Sequence, residues 1–167
     1  MKKYYADLIY NFYKDIEEKR SPDSVLLDMK RSIQLDAYSC GAQCVHVILE
    51  YYKINKTLVE ILKGLNTSKR DGTDTEPILN YLKLNGLKVS VNTNSRLSSI
   101  HSATNSRNPV LISVDDGEHW VVIYGYNKNG IFILDPSRKE VKNLWAMKKF
   151  MRRWDDNWIA VIKGRAV

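Results

Sequence analysis

A chain of 167 residues with 44% apolar residues is long enough for one globular unit with its own core, and it holds no internal repeat or low-complexity tract. No apolar run approaches the roughly 20 residues that cross a bilayer, and Met1-Lys2-Lys3 leads into Asp7, Asp15, Glu17 and Glu18 instead of the apolar core of a secretory signal. The net charge of +7 gathers at the end, where residues 138–167 carry nine basic side chains against three acids.

Taken in chain order, Tyr5, Leu8, Ile9, Phe12, Tyr13 and Ile16 recur at helical spacing and predict an amphipathic helix over 3–20, stopped by Ser21-Pro22. The stretch to Ser39 reads as irregular or as one short helix around Val25 to Met29. A second major helix is expected from Cys40 to Lys53. Thr57-Leu-Val-Glu60 has the form of a capping box for a short helix ending near Gly64. Another helix follows over 76–84, with Gly86 as its left-handed cap.

After Gly86 the pattern changes to strands. Leu87, Val89 and Val91 alternate, residues 92–108 form a polar loop with a short helix, and strands are expected at 110–114, 119–126 and 131–134. Two short Gly-containing connections make these an antiparallel meander. A helix over 144–154 and a strand over 158–162 complete the chain. Helices first and an antiparallel sheet afterwards define an α+β fold.

The basic C-terminal segment could be a footprint for nucleic acid or an acidic partner. Leu144, Met147, Phe150, Met151 and Trp154 supply an apolar stripe between the charges, so a solvated helix face is the preferred reading over a nucleic-acid site. The two cysteines, Cys40 and Cys44, lie four apart on one helix. A bridge there would close a trivial loop, so both are read as reduced thiols, with Cys44 a small core residue. No metal and no cofactor is expected: Cys40, Cys44, His46 and His119 match no standard zinc spacing.

Cys40 opens an apolar helix, where the positive end of the macrodipole favours thiolate over thiol. His119 stands at a strand entrance beside a Gly turn, better placed for a cleft than His46 or His101. Asp135, just before Pro136, can hold the imidazole in one tautomer. The side-chain amide of Gln34 and the backbone N–H of Cys40 are candidate oxyanion donors. A nucleophile on a helix, followed at a distance by a base and its orienter on strands, is the order of a papain-like cysteine hydrolase. One gap is left open. If residues 128–130 form a three-residue turn with Gly130 left-handed, Asp135 lies opposite Ile123, on the face of His119 but two side-chain positions away.

With these residues placed, the segment from Ile33 to Lys163 resembles the double-glycine (bacteriocin-processing) peptidases of the papain-like clan. The resemblance rests on Gln34 six residues before Cys40, Cys40-Gly41-Ala42, residues 67–73, His119-Trp120-Val121-Val122 and Asp135-Pro136, in that order. It implies a papain-like peptidase domain over 33–167 behind a helical extension over 1–32. It further implies Cys40 as nucleophile, His119 as base, Asp135 as orienter and Gln34 as oxyanion donor, with cleavage after Gly-Gly in a narrow cleft. Two features depart from the family: Ser39 stands where Asp is common before the nucleophile, and no membrane segment of an export transporter is present. The expected partner is a peptide or protein with a Gly-Gly site. A free-standing processing enzyme would act in the cytoplasm. A toxin would act in a target cell's cytoplasm and imply an inhibitor or immunity protein. The competing readings are a transglutaminase-like acyltransferase using the same residues, and a non-enzymatic peptide-binding module.

Overall fold

The computed structural model describes residues 1–165; Ala166 and Val167, which close the expected 33–167 domain, lie outside the described residues. The elements run α1 (Lys3–Lys19), β1 (Val25–Leu26), α2 (Cys40–Tyr51), α3 (Leu58–Gly64), α4 (Thr75–Leu84), β2 (Lys88–Asn92), α5 (Leu97–Asn105), β3 (Val110–Val114), β4 (His119–Asn127), β5 (Gly130–Leu134), β6 (Leu144–Ala146), α6 (Met147–Arg153) and β7 (Ile159–Lys163). The antiparallel sheet has the order β2-β7-β3-β4-β5-β6, with β1 added beside β4. The expected α+β class is what forms.

The central strands alternate between two cores. Trp120, Val122 and Tyr124 of β4 pack with Ala42, Val45, Ile48 and Leu49 of α2 and with α3 and α4. Val121 and Ile123 pack on the opposite side with Ile100 of α5 and Phe150 and Trp154 of α6. A strand buried on both faces must be apolar throughout, which is why 120–124 reads Trp-Val-Val-Ile-Tyr; each such aliphatic side chain contributes about 1.5–3 kcal/mol by leaving water. The Thr57–Glu60 capping box closes in both directions, and Gly86 takes φ +88°.

Three local expectations change. Residues 25–26 form a strand instead of a helical turn, because Val25 and Leu26 pair with Tyr126 and Gly125 of β4. The first turn of the expected 144–154 helix is strand β6, where Leu144 and Trp145 complete the ladder of β5. The helix over 3–19 forms, but it packs with its polar side inward. Lys14 and Ala6 are buried and Lys3, Asp7 and Asn11 half-buried, while Tyr5, Leu8, Ile9, Phe12 and Tyr13 are exposed. Among the described residues, no helix is long and apolar enough to cross a membrane.

Candidate active site

Cys40 is the first residue of α2, so its backbone N–H is one of the four that a helix leaves without an intrahelical acceptor. The turn before it is shaped by Asp36, whose Oδ1 accepts from the N–H groups of Tyr38 (2.9 Å) and Ser39 (2.7 Å). Ser39 makes no side-chain cap. Gly41 follows because a Cβ there would stand 3.0 Å from Thr73 Cβ and 3.1 Å from Ile78 Cδ1. The absence of a side chain lets the 67–73 loop lie against the first turn of the helix. That loop is a small hairpin, bridged between Ser68 and Gly72. It is anchored to β4 by Trp120, whose Nε1–H donates to Thr73 O at 3.0 Å.

His119 enters β4 from the Asp115–Glu118 turn, in which Asp115, Asp116 and Gly117 all have positive φ. Its Nε2 lies 2.6 Å from Asp135 Oδ1, and the same carboxylate oxygen accepts the Ser137 N–H at 2.8 Å. The sequence-based gap between the two residues closes through register. The turn has two residues, since Asn127 pairs with Gly130, and a bulge between Ile123 and Gly125 advances β5 by one more position. Together these carry Asp135 from the expected place opposite Ile123 to the position following the Val122–Leu134 pair, diagonal to His119. Gly130 is not left-handed. It is glycine because a Cβ would fall 1.9 Å from Trp145 O of β6.

Burial lowers the imidazole's affinity for a proton, but hydrogen bonds to Asp135 and Cys40 and their charges outweigh it, so the His119 pKa is raised to about 9. With Nε2 committed to Asp135, Nδ1 is the ring nitrogen left to act on the Cys40 thiol. Such a ring stays imidazolium at neutral pH, able to stabilise a thiolate and to give up a proton to a leaving group. Cys44 is different: fully buried, its thiol is pushed well above the ordinary value by desolvation and then by the charges of Cys40 and Asp135. Both cysteines are free thiols.

Gln34 is buried, and its backbone N–H donates to Pro136 O at 2.8 Å, lacing the segment before Cys40 to the Asp135 turn. Its side-chain Nε2 donates one hydrogen to Asp36 O at 2.9 Å, which leaves the second N–H of the amide free of that bond. The structure thus pairs His119 with Asp135 directly, sets Cys40 near enough to raise the His119 pKa, and ties Gln34 to both Cys40 and Asp135 through Asp36 and Pro136. His101 is elsewhere, stacked on Tyr126 at 4.0 Å. Among the described residues, no group of three or more His, Cys, Asp or Glu side chains is placed to hold a metal.

Beside Cys40 opens a cleft of about 340 Å³ lined by Tyr38, Arg70, Gly72, Thr73, Glu118 and Trp120, among others. Sequence reasoning passed over two residues that build the site. Asp36 offered a signal, since an Asp just ahead of a helix commonly forms a turn by accepting from the N–H groups two and three residues on. Arg31 offered none: standing between Lys30 and Ser32, it reads as an ordinary surface basic residue, yet it is buried against the Asp135 loop.

The family model described as the peptidase C39 family matches residues 28–166. Among curated proteins no sequence match is found. Several solved structures share the fold. A double glycine motif protease from an AMS/PCAT transporter, in complex with the leader peptide, superposes with a TM-score of 0.71 at 21% identity, covering 83% of this chain and 94% of that one. The peptidase domain of Streptococcus ComA, a bi-functional ABC transporter of a quorum sensing pathway, gives 0.68 at 18% identity over 80% and 96%. A C39-like peptidase from Bacillus anthracis gives 0.66 at 16% over 86% and 100%.

Proposed function

The chain belongs to the peptidase C39 family and is a cysteine peptidase, and on that footing we propose that it cleaves peptide bonds after Gly-Gly, with Cys40, His119, Asp135 and Gln34 as its catalytic residues. The observation that carries this reading is the 2.6 Å contact between His119 Nε2 and Asp135 Oδ1, with the thiol of Cys40 as the ring's other polar partner.

In the proposed reaction the Cys40 thiolate attacks the scissile carbonyl carbon, a C–S bond forms, and the carbonyl π pair moves to oxygen. The Cys40 N–H and the second N–H of Gln34 receive that oxyanion; one such donor stabilises the transition state by on the order of 3 kcal/mol. His119 gives its proton to the leaving amine as the C–N bond breaks, leaving a thioester. Water then attacks the thioester while His119 takes its proton, and the C–S bond breaks to regenerate the thiolate. Asp135 keeps the ring in the productive orientation throughout.

The preference for glycine is supported by how the cleft is walled. Gly72 lies with its Cβ position 3.5 Å from Tyr38 O, and Trp120 is fastened to Thr73, so the 67–73 loop stands close over the segment leading into Cys40. A substrate chain laid in the cleft walled by Tyr38, Trp120 and this loop is favoured when it brings no side chain. The double glycine motif protease and the leader peptide seen with it are a parallel for such a substrate. We further read residues 1–32 as a helical extension to a peptidase unit over 33–167. The test is mass spectrometry of a Gly-Gly peptide incubated with the wild type and with Cys40→Ala. Cleavage after the second glycine by the wild type alone is the expected result, and no cleavage by either refutes the proposed specificity.

A further inference from the structure

Arg31 is an unusual cost for the fold. Its side chain is buried, at 2% exposure, and no carboxylate pairs with it; every hydrogen bond from its guanidinium goes to a backbone carbonyl. Nε donates to Asp135 O at 2.5 Å, Nη2 to Ser137 O at 2.9 Å and also to Glu140 O, and Nη1 to Val141 O at 3.3 Å. One guanidinium therefore gathers four carbonyls of the 135–141 turn, the turn whose first residue is paired with His119. A planar fork of five donors suits that task, and an ammonium does not.

Arg31 is held in turn by α1. Asn11 pairs with the Arg31 backbone in both directions, accepting from its N–H at 2.8 Å and donating to its carbonyl at 2.7 Å. The Tyr10 ring lies 4.9 Å from the guanidinium carbon, and the Tyr10 hydroxyl donates to Arg138 O at 2.7 Å. This accounts for the inward polar side of the helix. These α1 residues precede the span that matches the family model, which begins at residue 28.

Resting on the proposed roles of His119 and Asp135, we infer that Arg31 is a positioning residue for Asp135 and that α1, through Tyr10 and Asn11, is the clamp that keeps Arg31 in place. The helix is thereby part of the catalytic apparatus rather than an appendage. A buried cation bonded only to carbonyls is a poor stabiliser of a fold, whereas it fixes a loop in one geometry. An orienting carboxylate needs such fixing, because an error of about 1 Å at a reacting group costs about 10²-fold in rate.

The charged or titratable groups facing His119 and Asp135 are Cys40, Cys44, Asp115, Arg31 and Arg153, with Lys139 and Glu140 lining the same hollow. Only Arg31 is changed in the test. In Arg31→Lys, the His119 ring followed by NMR is expected to titrate about one unit below its wild-type value. Its kcat should fall about 10²-fold with KM within about twofold. Asn11→Ala leaves the guanidinium and its Tyr10 contact present and removes only the Asn11 bonds to the Arg31 backbone; it should move both readings the same way by smaller amounts, and it serves if Arg31→Lys does not fold. A lowered melting temperature with His119 titrating as in the wild type, in either folded variant, overturns the inference. The titration needs no substrate, so it decides the clamp even if the Gly-Gly peptide is not cut, which would instead refute the proposed specificity.

Discussion

The indole N–H of Trp120 donates to the carbonyl oxygen of Thr73 across 3.0 Å, so the strand that begins with His119 also fastens the loop that faces Cys40. The residue beside His119 thus sets the width of the cleft beside Cys40. Trp120→Phe keeps most of the ring and removes the donor, leaving a buried carbonyl unpaired at a cost of about 1–3 kcal/mol. The loop should loosen. The ratio of kcat/KM for a Gly-Gly peptide over its Gly-Ala counterpart is expected to fall, and competition kinetics with the two peptides measures it.

The two thiols should differ sharply in reactivity. Cys40 opens α2 on the cleft beside the His119 ring, whereas Cys44 is 1% exposed with its thiol held in the neutral form by burial. Near pH 7 iodoacetamide should label Cys40 at least ~10-fold faster than Cys44. Peptide mapping of partly alkylated protein reads the order, and equal rates would remove the case for an activated Cys40.

Asp135→Asn removes the group that most raises the His119 pKa. With the ring's pKa at about 9, the alkaline limb of the kcat/KM profile is expected near pH 9 in the wild type, and in the variant it should move down toward 6.5. The sign for stability follows from the same shift. A pKa raised on folding adds stability that is complete below about 6.5, on the order of 3 kcal/mol, and that drains away as pH rises through about 9. Urea unfolding of wild type and variant at pH 6 and pH 9.5 should show the difference at the lower pH and little at the higher.

If Gln34 has the proposed role, Gln34→Ala should lower kcat by about 10²–10³-fold with a small change in KM, because a donor to the oxyanion acts in the transition state and not on the ground-state carbonyl. Single-turnover acylation with an ester or peptide substrate tests this. Equal loss in kcat/KM through KM alone would make Gln34 a binding residue instead.

Gly130→Ala probes the register. The new Cβ would meet Trp145 O at 1.9 Å, so β6 must withdraw from β5 at a cost of about 1–3 kcal/mol or more. Since this hairpin sets where Asp135 stands, activity at a temperature where the variant is still folded should drop as well. Thermal melts with parallel kinetics would separate the two effects.

Much of this protein was legible along the chain because its information is local. Cys40 at a helix start, Thr57 with Glu60, Gly86 after a helix, and the alternating strands all follow from periodicity and capping, which act over a few residues. Asp135 stands out by its place before Pro136 as a residue able to hold the imidazole, and the resemblance implies the same role. Its contact with His119 was not legible, because a two-residue turn and a bulge at Tyr124 shift the register by two positions, and register is decided by the packing of both strands between two cores. Val25 and Leu144 look helical in sequence and become strands because a sheet edge is waiting for them. The helix over 3–19 was visible as a helix, but periodicity shows only that it has an apolar side. Which side turns inward was settled by Arg31, Ser32 and Ile33, whose backbone and side-chain groups take Asn11, Lys3 and Asp7 as partners. Sequence determined which residues have the chemistry; tertiary structure decided, by register and by where buried hydrogen-bonding groups find partners, which of them meet.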